Sequence, residues 1–171
     1  MSRSNLRRSA LVALTTVAAM VGVILRPSPG RTDAPAGRYT ILGDGTVYDT
    51  ATTLTWQRTA NMTGMVWASA GPYCAGLTSP AAGGRWRLPT VKELTTLLDY
   101  SRPGSPFIDP VAFPGVPAES TSSARNGFWS STSLVGTSVG VTEGAWLVYF
   151  GSAATQPNPP NVGGAVRCVR P

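Results

Sequence analysis

The stretch GGRWRLPTVKELTTLLDY, residues 83–100, constrains this chain more than any other, because the start and the buried face of one helix can be read from it. Thr90 followed three residues later by Glu93 is a capping box. The threonine oxygen accepts from the Glu93 amide and the glutamate reaches back to the Thr90 amide, which satisfies two donors that a helix start leaves unpaired. The spacing predicts a helix from Val91 with Val91, Leu94, Leu97 and Leu98 gathered on one face. Upstream, Arg85-Trp86-Arg87-Leu88 alternates polar and apolar as a short strand does, and Pro89 biases Leu88 away from helical angles. The stretch therefore reads as an entry strand, a stop and an amphipathic helix lying on a sheet.

The first 36 residues differ from the rest. Arg3, Arg7 and Arg8 precede an apolar to weakly polar run over residues 10–25, then Pro27, Pro29, Gly30 and the small-residue site Ala34-Pro35-Ala36. That order is the order of a secretory signal peptide and linker. Its rival, a membrane anchor, is short of the roughly 20 apolar residues needed to span. The formal charge of +6 depends on this segment: without it, nine basic residues face seven acidic ones, and nucleic-acid binding loses its compositional support. Residues 37–171 suffice for one domain with a core.

Two cysteines remain in that domain, Cys74 and Cys168, and in an oxidising compartment an even pair reads as a disulfide. Histidine is absent throughout, which excludes histidine-based triads, imidazole general bases and His-ligated zinc.

Residues 37–60 predict a hairpin: Tyr39-Thr40-Ile41-Leu42, the turn Gly43-Asp44-Gly45, then Thr46-Val47-Tyr48-Asp49, with a further strand at Leu54-Thr55-Trp56. Residues 65–77 predict a helix with Trp67, Ala70, Cys74 and Leu77 on one stripe, in which Pro72 either kinks the helix or starts a second short turn. Residues 101–123 read as a packed loop pinned by Phe107, Ile108, Val111 and Phe113. Residues 127–132 predict a strand, and Ala145 to Phe150, apolar at every position, predicts a strand covered on both sides. Residues 133–144 and 151–164 read as loops. In the closing segment Val166 and Cys168 share an inward face.

Six segments in order, Asp44-Gly45-Thr46-Val47-Tyr48-Asp49, Leu54-Thr55-Trp56-Gln57, Trp86-Arg87-Leu88-Pro89-Thr90 with Glu93-Leu94, Phe128-Trp129-Ser130-Ser131-Thr132, Ala145-Trp146 and Val166-Arg167-Cys168-Val169-Arg170, resemble the Lcl-type C-terminal domain of bacterial secreted proteins. The resemblance covers nearly all of residues 39–170. It implies an α+β, C-type lectin-like fold: two helices on a small antiparallel sheet, paired termini, long irregular loops, and a disulfide from the first helix to the last strand, where Cys74 and Cys168 fall. It also implies adhesion through glycan binding, without the collagen stalk of the founding adhesins. A second resemblance, to formylglycine-generating enzymes, rests on the Arg-Leu-Pro-Thr helix start and the Arg-Cys ending. That activity needs a copper-holding cysteine pair, and here the pair is taken by the structural bridge.

Gln156-Pro157-Asn158 resembles the sugar-binding triplet of calcium-dependent lectins, but the carboxylates that would complete the six to eight oxygens calcium takes do not follow it, so no metal is expected. No cofactor is expected either. Glu93 is explained by its cap, neither Asp99 nor Glu119 stands at a fixed spacing from it, and the serines after Trp129 lack a base, so the chain reads as non-enzymatic with no catalytic residue. Trp56, Trp86 and Trp146, like Thr90 and Glu93, read as structural, and Trp67 sits in a core pattern. Trp129 is the tryptophan least embedded in apolar sequence. The candidate ligand residues are Arg125, Asn126, Trp129, Glu143, Gln156, Asn158 and Asn161, on or beside the two loops. Arg85, Arg87, Arg167 and Arg170 read either as solvated strand edges or as a basic stripe for an anionic polymer. The expected partner is a glycan or a cell-surface protein, with the membrane involved only through a retained N-terminal segment; the alternative is an assembly subunit of an envelope complex.

Overall fold

The computed structural model describes residues 35–78, 85–118, 124–138 and 140–171; the signal peptide expected from the sequence, up to residue 34, and Glu119 lie outside the described residues. The elements in order are β1 (Tyr39–Ile41), β2 (Thr46–Asp49), β3 (Leu54–Gln57), β4 (Asn61–Met65), α1 (Trp67–Ala75), α2 (Val91–Thr95), a 3-10 turn (Ala124–Asn126), β5 (Gly127–Ser133), β6 (Ala145–Tyr149), β7 (Ala154–Asn158), β8 (Gly164–Val166) and β9 (Val169–Arg170). The class is α+β. The strands form two sheets instead of the single small sheet expected: a four-stranded one in the order β1-β2-β3-β9 and a five-stranded one in the order β4-β8-β5-β6-β7. The second is not purely antiparallel, since β5 and β8 run parallel through Phe128 and Ala165. The ends of the domain share the first sheet without pairing directly, because β9 pairs with β3.

The hairpin follows its turn chemistry. Gly45 has φ +81°, which a side chain resists. Asp44 Oδ1 accepts from the Thr46 amide at 3.1 Å and the Thr46 hydroxyl at 2.6 Å, and the Leu42 amide donates to the Thr46 carbonyl at 2.9 Å. At the open end, buried Asp49 takes both Nε and Nη2 of Arg38 at 3.1 and 2.9 Å, and Arg38 Nη2 also donates to the Thr96 carbonyl at 2.8 Å. One guanidinium thus fixes the hairpin to the end of α2.

The capping box is present as read. The Glu93 amide donates to Thr90 Oγ1 at 3.2 Å and the Thr90 amide to Glu93 Oε2 at 2.8 Å. The helix is shorter than its apolar pattern, ending at Thr95. Thr95 and Thr96 turn their hydroxyls back onto the Lys92 and Glu93 carbonyls at 2.9 and 2.7 Å, and such side-chain bonds compete with the helical ladder. The chain then continues in i to i−3 bonds, Leu97 to Leu94 and Leu98 to Thr95, both at 3.1 Å. The tighter winding keeps Leu97 and Leu98 buried beside Leu94.

The first helix is also trimmed, because Met65 belongs to β4 and Val66 is extended. Pro72 lies inside α1, and a single helical run continues through it. Its helix start has no side-chain cap; the Trp67 amide instead donates to the Pro160 carbonyl at 3.0 Å.

The apolar run from Ala145 is covered on both faces, as expected. Phe128, Val148 and Phe150 join Leu94, Ile108 and Phe113 in one core. Trp129, Leu147 and Tyr149 join Ala70, Cys74, Trp86, Leu88 and Cys168 in the other. Of the residues expected to pin the loop 101–123, Ile108 and Phe113 are fully buried, whereas Val111 is exposed and contributes through its backbone, its carbonyl accepting from Arg58 Nη2 at 3.1 Å and its amide donating to Asp109 Oδ1 at 2.8 Å.

The segment 151–164 is not wholly a loop. Its centre is β7, paired with β6 from Ala154 against Tyr149 to Asn158 against Ala145. Pro157 is tolerated because β7 is an edge strand and its missing donor interrupts no further ladder.

Candidate functional site

The Cys74 and Cys168 sulfurs are bonded at 2.03 Å, with the α-carbons 5.5 Å apart. Cys74 lies in α1, and Cys168 occupies the link between β8, in one sheet, and β9, in the other. Gln57 reinforces that link: its carbonyl Oε1 accepts from the Cys168 amide at 3.2 Å while its Nε2 donates to the Tyr73 hydroxyl at 3.2 Å. The bridge therefore holds α1 over the segment carrying Trp86 and Leu88, and a cleft opens at each end of that helix.

The first cleft, about 150 Å³, is lined by Asp44, Gly45, Thr46, Gln57, Leu77, Thr78 and Trp86. Its chemistry is mixed. Asp44 is exposed, and hydrogen bonds from Thr46 hold its carboxyl below the usual carboxylate range, so it is charged at neutral pH. Thr46 occupies Oδ1, and Oδ2 takes no donor among the described residues. Trp86 forms an apolar wall, 6 % exposed, with the Arg170 guanidinium 5.2 Å from its ring centre. A carboxylate, a threonine and an indole thus meet around one small opening.

The second cleft, about 260 Å³, is lined by Trp67, Ala68, Gly71, Pro72, Leu88 and Ser131. It is mainly apolar. The Trp67 ring is fixed by its indole N–H, which donates to the Ser130 carbonyl at 2.9 Å.

The ligand residues read from sequence do not converge on either cleft. Strand register separates them: Arg125 and Asn126 precede β5 at the end where Gly127 pairs with Tyr149, whereas Glu143 precedes β6 at the end where Ala145 pairs with Asn158. Glu143, Gln156 and Asn161 are exposed, and Asn158 is half-buried, its amide donating to the Tyr149 hydroxyl at 3.1 Å. Trp129 is corrected outright. It is fully buried, and its indole N–H donates to the Met65 carbonyl at 2.7 Å. The connection 159–163 carries the chain from β7 to β8, and Gly164 packs against the indole so closely that an added β-carbon would lie 2.7 Å from Nε1.

Trp56 and Trp86 are core residues as read, while Trp146 is half-buried. The basic stripe does not form. Arg87 is paired with Glu93 at 2.6 Å, Arg170 lies on Trp86 and Arg167 is inside the domain. Sequence reading missed Asp44, Thr46 and Trp86 as site residues, because each already has a structural explanation as turn former, strand residue or core. Only the return of the chain end beside the hairpin, through β3 and β9, makes a cleft of them.

A family model described as the Lcl C-terminal domain matches residues 45–170. No curated protein and no solved structure matches the chain. Among the described residues no cluster of potential metal ligands is found, and no helix is long and apolar enough to cross a membrane.

Proposed function

Because the chain belongs to the Lcl C-terminal domain family, we propose that it is an exported, non-enzymatic binding domain of C-type lectin-like architecture, acting at the cell envelope or beyond it on a glycan. The disulfide supports an oxidising, extracytoplasmic setting. The bridge from the first helix to the link before the last strand, and the sharing of one sheet by β1 and β9, support the lectin-like arrangement. The same bridge occupies the cysteine pair that a formylglycine-type copper site would need.

The observation that carries the ligand class is the mixed cleft of Asp44, Thr46, Gln57 and Trp86. Sugars present hydroxyls to carboxylates and threonines and an apolar face to indoles, and sites on rigid scaffolds use a few such polar groups for orientation. The test is a glycan array probed with the exported chain, followed by titration of the best sugar. D44A is expected to weaken binding at least tenfold, about 1.4 kcal/mol, and to lower the melting temperature only by the few degrees that loss of the two Thr46 hydrogen bonds costs. Binding unchanged in D44A, or no glycan above background, would remove this reading.

The apolar cleft of Trp67, Pro72 and Leu88 favours a second reading, a protein contact within an envelope assembly. Ala68 is exposed on its rim, so A68R is expected to abolish co-purification with such a partner while leaving glycan titration intact.

A further inference from the structure

Arg167 has no exposed surface, yet no acid among the described residues forms an ion pair with it. Its Nη1 donates to the Gln57 and Arg58 carbonyls at 2.7 and 2.6 Å, and its guanidinium carbon lies 4.7 Å from the centre of the Phe113 ring and 5.5 Å from that of Phe128. Nε and Nη2 have no acceptor among the described residues. In a planar guanidinium these two nitrogens share one edge, and their N–H bonds point the same way, the edge that takes a carboxylate or a single anion between two donors.

A second arginine reaches the same neighbourhood. Arg58 Nη2 donates to the Val111 carbonyl at 3.1 Å, in the turn 109–113 that also supplies Phe113, and Arg58 Nε is likewise shielded and without an acceptor among the described residues. The acid in that turn is Asp109, whose Oδ1 is taken by the amides of Val111 and Ala112 at 2.8 and 2.9 Å. It forms an ion pair with neither arginine; the pairs among the described residues are Arg38 with Asp49 and Arg87 with Glu93. Burial pushes the Arg167 pKa down to about 9, which still leaves it charged at neutral pH. Ring faces attract the cation but accept neither in-plane N–H. A water molecule would answer the hydrogen bonds and leave the charge, whereas an anion answers both.

We propose that a small inorganic anion of chloride size is bound inside the domain on the Nε and Nη2 edge of Arg167, beside the turn 109–113. The experiment uses the exported chain crystallised with bromide in place of chloride. An anomalous peak within hydrogen-bond reach of both nitrogens is the expected result. In solution, the melting temperature is expected to rise with the logarithm of bromide concentration at constant ionic strength, gluconate being the balancing anion. R167M should abolish that dependence. If R167M does not fold, R58M, which keeps the Arg167 edge, should retain the dependence with a smaller slope. No anomalous peak at that edge, whether the position is empty or holds water, together with a flat bromide series, overturns the proposal.

Discussion

Glu93 concentrates three contacts in one side chain: the Thr90 amide, the Thr90 hydroxyl and the Arg87 fork at 2.8 and 2.6 Å. The Arg87 fork and the Thr90 donors hold its carboxyl down to about 2, from an ordinary 4.5. A carboxyl depressed by folding contributes stability that is full above its unfolded pKa and lost as the pH falls through the folded one. Since the pair is partly exposed, E93Q is expected to cost only about 1 kcal/mol at neutral pH. Urea melts of parent and variant should converge between pH 4.5 and about 2; a gap that persists below that window counts against the assignment. This site was legible because a capping box is local. Arg167 and Trp129 were not legible, since nothing in their neighbours states that the carbonyls of Gln57 and Arg58 capture the one and that Met65 and Gly164, from two other strands, close on the other. R167K, which cannot hold both carbonyls in one plane and keep the ring contacts, is expected to lose about 2–4 kcal/mol in the same melts.

Among the strands announced by alternation or by an unbroken apolar run, β2, β3, β5 and β6 lie where the sequence puts them, whereas residues 85–88 form no strand and only Arg87 bridges to Val169. The two that were missed carry no such pattern. In β4 the ladder is interrupted by an irregularity at Gly64, φ +82°, and in β7 an edge position lets Pro157 and polar neighbours stand in a strand. The helices were located correctly but drawn too long, since an apolar stripe continues through 3-10 turns as readily as through a helix. One element contact sets the fit of β6 to β7: a β-carbon added at Gly144 would lie 2.0 Å from the Asn158 carbonyl oxygen. G144A must therefore part the end of that ladder, and it is expected to destabilise by about 2–3 kcal/mol. A calorimetric melting temperature equal to the parent's would contradict the packing described.

At the scale of the molecule, two sheets are joined by a link of two residues, Arg167 and Cys168, between β8 and β9. One of these residues is tied to the end of β3 and the other to α1, across 94 residues of sequence. Both cores should then unfold together. Denaturation of the oxidised chain is expected to be a single transition, coincident by tryptophan fluorescence and far-ultraviolet circular dichroism. Replacing both cysteines by serine should lower stability by about 2–5 kcal/mol; separated transitions in the oxidised chain would show the two sheets to be independent. The mixed cleft is legible only at this scale, because Asp44 and Trp86 are brought together by how the chain closes. A seam fastened by sulfur can be fastened only where an oxidant is at hand, so a copy retained among reduced thiols stays unlatched at the joint between its halves, and completion of the domain becomes a record of having been delivered.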